Sequence, residues 1–176
     1  NLALDNQELE DRGLSREDFR LQLGNSALTN ASVYFNASVP FSGRTAFYAF
    51  GGMNYRNSIS AGDYRFPNDP ARVNLNLYPD GFLPEISARL SDHYITTGLR
   101  TMITDWEVDF SNSFGSNAIH FFVANSVNAS MGDDSPLAFE SGGIRFTQNT
   151  TDLDFSHTIK DLSGIRSMKM LIGSEF

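Results

Sequence analysis

The sequence predicts an all-β fold, an antiparallel up-and-down meander of the kind that closes into a transmembrane β-barrel. Three observations carry this expectation. Apolar and polar residues alternate with period two along most of the 176 residues. Short and long connections alternate strictly between those runs. The runs also reach or exceed the roughly 9–11 residues that a tilted membrane strand needs.

The elements follow in order. "QELEDRGLSREDFRLQLG" (residues 7–24) is the only plausible helical stretch, and Gly13 with the high polarity around it argues against a packed helix. Residues 31–39, "ASVYFNASV", place Ala31, Val33, Phe35, Ala37 and Val39 on one face. Ser32, Tyr34, Asn36 and Ser38 fall on the other. Residues 44–56 put Phe47, Ala49, Gly51, Met53 and Tyr55 on one side and end in Asn54 and Arg56 on the other. Residues 89–101 set Ile95, Thr97 and Leu99 against Tyr94, Thr96 and Arg100. Residues 106–114 oppose Trp106, Val108, Phe110 and Phe114 to Glu107, Asp109, Ser111 and Ser113. Residues 143–157 set Leu153 and Phe155 against Asp152, Asp154 and Ser156. Residues 165–176 close the series with Met168, Met170 and Ile172 against Lys169, Leu171 and Glu175.

The connections sharpen the fold class. "PFSG" (40–43), "MITD" (102–105) and "KDLSG" (160–164) are tight turns, whereas residues 57–87 and 125–142 are long excursions. Alternate connections of a meander lie at the same end, so one end is trimmed and the other elaborate. Short periplasmic turns and long extracellular loops are the mark of an outer-membrane barrel. A soluble sandwich also alternates, but its long loops have no reason to keep to one end. Phe41, Tyr55, Tyr94 and Trp106 stand near strand ends, where a barrel carries its aromatic girdles.

Composition excludes several classes. The chain is 40% hydrophobic and 12% aromatic, with 15 phenylalanines, which is too apolar for a disordered segment. Its formal charge is -8, and its 13 Lys and Arg are scattered, so no basic stripe marks a nucleic-acid partner. Lys160 and Lys169 are the only lysines, which excludes a polybasic membrane-surface segment. Cysteine is absent, and with it disulfides, thiolate metal sites and thiol chemistry. The first residues carry neither an initiator Met nor a signal h-region, and the alternation is still running at residue 176. The expectation is an internal piece of a longer polypeptide.

Catalytic patterns are weak. His93, His120 and His157 sit on separate strands, and the nearness of Asp92 and Ser156 in sequence does not make a triad. Asp133 and Asp134 in "MGDDSP" lack the alternating oxygen ligands of a Ca²⁺ loop and read as a solvated turn. The pairs Asp152/Asp154 and Glu107/Asp109 each share a strand face and read as residues facing a wet lumen. No P-loop, dinucleotide fingerprint or nucleophile elbow occurs. The sequons at Asn30, Asn36, Asn128 and Asn149 read as chance. No catalytic residue, metal site or cofactor is expected, and the chain is not expected to be an enzyme.

Specific motifs then accumulate. "FYAFGGMNYRNSISAGDYRFPNDPARVNLNLYPDGFLPEI" (47–86) runs from a strand ending GG-x-N-Y-R, through AG-x-YR-x-PNDP-R, to L-YPDGFLPEI. Downstream come "DWEVDFSNSFGSNAIHFFVANSVNASMGDDSPLAFESGGIRFTQNTTDLDFS" (105–156) and a closing "GSEF" (173–176). In this order they resemble the barrel strands and an extracellular loop of the TonB-dependent outer-membrane receptors. The likeness runs from about residue 13 onward, and residues 1–12 match weakly. It implies about six strands of a larger barrel, which in this family reaches 22 strands around a plug. The plug, the TonB box and the remaining strands would lie outside this chain, leaving an open sheet with two unpaired edges. The implied activity is active uptake of a nutrient ligand (siderophore, vitamin, oligosaccharide or peptide), energised through TonB. The implied place is the outer membrane of a Gram-negative bacterium. The implied partners are the TonB complex, the rest of the barrel, a surface lipoprotein, and lipid or lipopolysaccharide. Two alternatives remain, a soluble extracellular β-sandwich that binds carbohydrate and a smaller porin-like barrel.

The residues offering function on this reading are those of the proline-rich loop, which holds four of the six prolines. Tyr64, Arg65, Phe66, Asp69, Arg72, Tyr78, Asp80 and Phe82 combine aromatic planes with charge on a partly pre-organised backbone. They are candidates for ligand binding or plug contact. The plain alternative is that they fold the loop against its neighbours.

Overall fold

The computed structural model describes residues 2–19, 24, 26–69, 71–162 and 164–176. A helix, α1 (Leu2–Asp11), precedes six strands: β1 (Ala27–Pro40), β2 (Thr45–Ala61), β3 (Glu85–Ile103), β4 (Trp106–Ala124), β5 (Ala138–Leu162) and β6 (Ile165–Glu175). A short 3-10 helix, Ala129–Asp134, lies between β4 and β5. The strands form one sheet in chain order, an antiparallel meander with β1 and β6 at its edges. The sheet is not closed, as expected for these strands alone. Among the described residues no helix is long and apolar enough to cross a membrane, which says nothing of strands.

Strand ends and the helix move. The strands outrun their alternating segments, β2 to Ala61, β3 from Glu85, β4 to Ala124 and β5 from Ala138, so the long connections shrink to residues 62–84 and 125–137. In β4 the strand continues without side-chain alternation, because "FFVA" (121–124) is apolar on both faces. The helix occupies Leu2–Asp11 and shares only its last part with the expected 7–24 stretch. Gly13 ends the helical region at φ 68, and residues 15–18 make a separate turn in which Ser15 N and Oγ both donate to Asp18. Residues 20–23 of that stretch lie outside the described residues.

The chain divides into two compact units. One comprises Asn1–Thr29, Arg56–Arg89 and His120–Gly143, and the other Asn30–Tyr55, Leu90–Ile119 and Ile144–Phe176. Both long connections belong to the first unit and all three tight turns to the second.

In the second unit the sheet has two unlike faces. On one, Ser32 Oγ donates to Asn54 Oδ1 at 2.7 Å, and Asn54 Nδ2 donates to Asp92 at 3.1 Å. Asn117 Nδ2 also donates to Asp92, which completes a polar row across β1 to β4. Further along, Tyr48 Oη and Arg100 Nη2 both reach the Asp109 carboxylate at 2.7 Å, and Thr96 meets Ser113 at 2.9 Å. Two tyrosines lie over glycines of the next strand, Tyr34 over Gly52 and Tyr48 over Gly98. A Cβ at either glycine would collide with the ring.

The opposite face is apolar and uncovered. Val33 is 67% exposed, Phe110 52% and Ile172 64%, and Phe35, Phe47, Met53, Ile95, Leu99, Phe114 and Phe155 are exposed beside them. Phe155 pairs with Ile172 across β5 and β6, and Trp106 stacks on His157 at 5.1 Å. Two amides lie on this face and bond each other: Asn112 donates to Asn149 Oδ1, Thr150 O and Thr151 Oγ1, and Asn149 donates back to Asn112 Oδ1. The polar atoms of Asn112 are therefore spent within the sheet rather than left bare.

Candidate functional site

The long connections of the first unit fold on each other. In the β2–β3 connection, Arg65 and Phe82 exchange two backbone hydrogen bonds of 2.8 and 3.0 Å, which pinch the loop into a closed lobe. Gly81 makes the pinch possible. Its φ is 82, and a Cβ there would strike the Arg65 carbonyl oxygen. Inside the lobe, Val73 is 4% exposed and Phe82 5%, and Tyr78 packs on Phe82 with ring centroids 4.6 Å apart. Turns set by Val73 N to Asp69 O and Tyr78 N to Asn74 O satisfy the backbone where no strand partner exists.

The eight loop residues divide into groups. Phe82 and Tyr78 are packing residues. Asp69 and Arg72 pair with each other at 3.4 Å. Arg65 acts through its backbone in the pinch. Tyr64, Phe66 and Asp80 turn toward the N-terminal segment. Phe19 meets Tyr64 edge-on at 5.0 Å and lies nearly parallel to Phe66 at 6.2 Å. Arg12 Nη1 binds Asp80 at 2.8 Å while its Nε binds Glu8 at 2.8 Å. Tyr64 Oη donates to the Asp80 carbonyl at 3.0 Å. Pro70 of this loop lies outside the described residues.

These contacts border a cleft of about 890 Å³, walled by Leu9 and Leu14, by Phe19, Phe66 and Leu75, and by Pro67 and Pro79. That is the size and character of a small-molecule site, apolar walls with a few polar groups at the edge. Its charges are ordered. The Arg12 guanidinium is held further into its charged form by the hydrogen bonds it donates to Asp80 and then to Glu8. Asp18 is held below the usual carboxylate range by the Ser15 N–H and hydroxyl. The Tyr64 phenol is pushed up, first by partial burial and then by the charges of Asp80 and Asp18.

A second set of contacts joins the two long connections. Asn74 Nδ2 donates to Asp133 Oδ1 at 2.8 Å, and Asn76 Nδ2 reaches both Asp133 oxygens at 3.0 Å. Asn125, at φ 48, donates to Leu83 O at 2.6 Å. Asp133, expected to be a solvated turn residue, is the acceptor of a clasp. Asp134 has no such part among the described contacts.

Arg12, Arg16, Phe19, Asn74 and Asn76 were not singled out by the sequence. "SRED" (15–18) does fit a capping pattern of Ser with an acid three residues on, and it places the Phe19 turn. No local signal marks the asparagines. The histidines stay apart, as their strands dictate. His157 Nδ1 lies 2.8 Å from the Asp105 carbonyl, and His120 Nε2 approaches Glu140 to 2.8 Å without the alignment of a hydrogen bond. Among the described residues no cluster of three or more His, Asp and Glu is gathered to hold a metal ion. No family model, curated protein or solved structure matches the chain.

Proposed function

We propose that this chain is a strand-and-loop segment of a TonB-dependent outer-membrane transporter. In this reading its apolar face meets lipid, its polar face lines the lumen, and its long connections capture a nutrient ligand outside the cell. The observation that carries the reading is the uncovered apolar face of strands 11–25 residues long, opposite a face whose polar groups bond across four strands. A water-soluble sheet buries such a face under a second layer, whereas lipid requires no cover. The sorting of long connections into one unit and tight turns into the other supports the same reading. The open edges at β1 and β6 call for further strands, since a sheet edge cannot stand in hydrocarbon. The polypeptide does no covalent chemistry on its ligand. Its work is capture and passage, with energy delivered through TonB.

The test is made on the native protein that carries this chain. It should fractionate with outer membranes, require detergent, and migrate faster in SDS when unheated. An epitope placed between Asn68 and Asp69 should be stained on intact cells. Recovery as a detergent-free soluble monomer, or an epitope reached only after lysis, overturns the reading.

A further inference from the structure

Among the described residues, two arginines border the cleft beside α1, and they are held differently. Arg12 is saturated by Glu8 and Asp80. Arg16 is not: its Nε and Nη2 both donate to a single neutral acceptor, Asn6 Oδ1, at 3.0 and 2.9 Å. Among the described residues it makes no ion pair. A guanidinium fork closed on one amide oxygen is in the posture that it takes toward a carboxylate, and the charged acceptor binds roughly twice as strongly. Arg16 lies at the edge of a wall built from Leu9, Phe19, Phe66 and Pro79. Glu8 and Asp80 also border the cleft and balance its two arginines in number, but both are bonded to Arg12, so among the described residues Arg16 is the charged group there whose fork meets only a neutral acceptor.

We propose that this cleft binds a small molecule with a carboxylate on a flat apolar or aromatic body. The carboxylate takes the Arg16 fork from Asn6, and the body lies on Phe19 and Phe66. The inference rests on the reading of the long connections as the ligand-capturing end and names the ligand class they select. Asn6 acts as a placeholder that keeps the fork aimed when the site is empty. The aromatic wall supplies attraction without selectivity, and Arg16 supplies the preference for the acid.

The probe is 6-fluoro-2-naphthoate, with 6-fluoro-2-naphthamide as its neutral match, titrated by ¹⁹F NMR against the detergent-solubilised protein. The acid should bind at least about tenfold tighter than the amide, the margin expected of a hydrogen bond to a charged group. Arg16→Gln should erase that margin, and Phe66→Ala should weaken both probes alike. Asn6→Ala should tighten the acid and leave the amide unchanged, an effect that misfolding would not produce. Equal binding of acid and amide, a preference that survives Arg16→Gln, or no binding of either overturns the proposal. Heat-modified migration of the same sample reports on the membrane reading separately, so failure of one is not mistaken for failure of the other.

Discussion

Gly81 shows how much of the candidate site depends on one backbone angle. At φ 82 it sits where L-residues are disfavoured, and its missing Cβ leaves room for the Arg65 carbonyl that pairs with Phe82. The left-handed conformation alone costs a substituted residue about 1–2 kcal/mol, before any collision is counted. Gly81→Ala should therefore open the pinch without touching the sheet. Chymotrypsin, which can cut after the loop's Tyr64 and Phe82 but not after Phe66 or Tyr78, each followed by proline, should nick the variant roughly tenfold faster or more, the equivalent of about 1.4 kcal/mol of local opening. Unchanged cleavage would mean that the pinch does not hold the lobe. In sequence, "PDGF" declares a turn at this glycine. It does not declare that the turn folds Phe82 back to the 4% and 5% exposures of the Val73–Phe82 core.

At the scale of elements, the two long connections are joined through one carboxylate. Asp133 accepts from Asn74 and Asn76, and those bonds hold its pKa below the ordinary 3.8. A carboxyl whose folded pKa is depressed contributes stability that is present above its unfolded value. That contribution is lost as pH falls through the folded one. The clasp should thus be closed at neutral pH and loosen only below about pH 4, the range of unperturbed carboxyls. Spin labels at the exposed Leu75 and Met131 would read this as a distance distribution that is narrow at pH 7 and broad near pH 3. Asp133→Ala should be broad at both, and a distribution indifferent to both pH and substitution would refute the clasp.

The strands were legible because period two writes their faces directly into the sequence, and Phe155 and Ile172 pair across β5 and β6 as their alternation requires. Their ends were less so. Beyond Arg56 and Phe114 the backbone ladder continues where the side chains no longer sort. The clasp was not legible at all, since its partners lie 59 and 57 positions apart and an asparagine amide advertises no partner. The helix was misplaced for a related reason. Leu2–Asp11 has no basic residue in its last turn and a weak apolar stripe, so neither periodicity nor charge marks it.

At the scale of the whole molecule, the question is which solvent each face meets. Neighbours Phe110 and Ser111 project to opposite faces of β4, in the same stretch of strand, so they separate face from position. In water, an arginine in place of the 52% exposed Phe110 would cost little, because the side chain is already half hydrated. Against hydrocarbon it costs about 2–4 kcal/mol near the bilayer midplane and less toward the interface. Ser111→Arg, on the polar face, should cost under about 1 kcal/mol in either setting. Urea unfolding of the native protein that carries this chain, in lipid vesicles and followed by the circular dichroism of its strands, measures both. The expected result is a large penalty for Phe110→Arg and a small one for Ser111→Arg. Equal penalties would remove lipid from the apolar face, and with it the argument that carries the transporter reading. The reverse order would exchange the two faces. Either result would leave the six-stranded meander intact, because its hydrogen-bonded ladder does not depend on which solvent wets it.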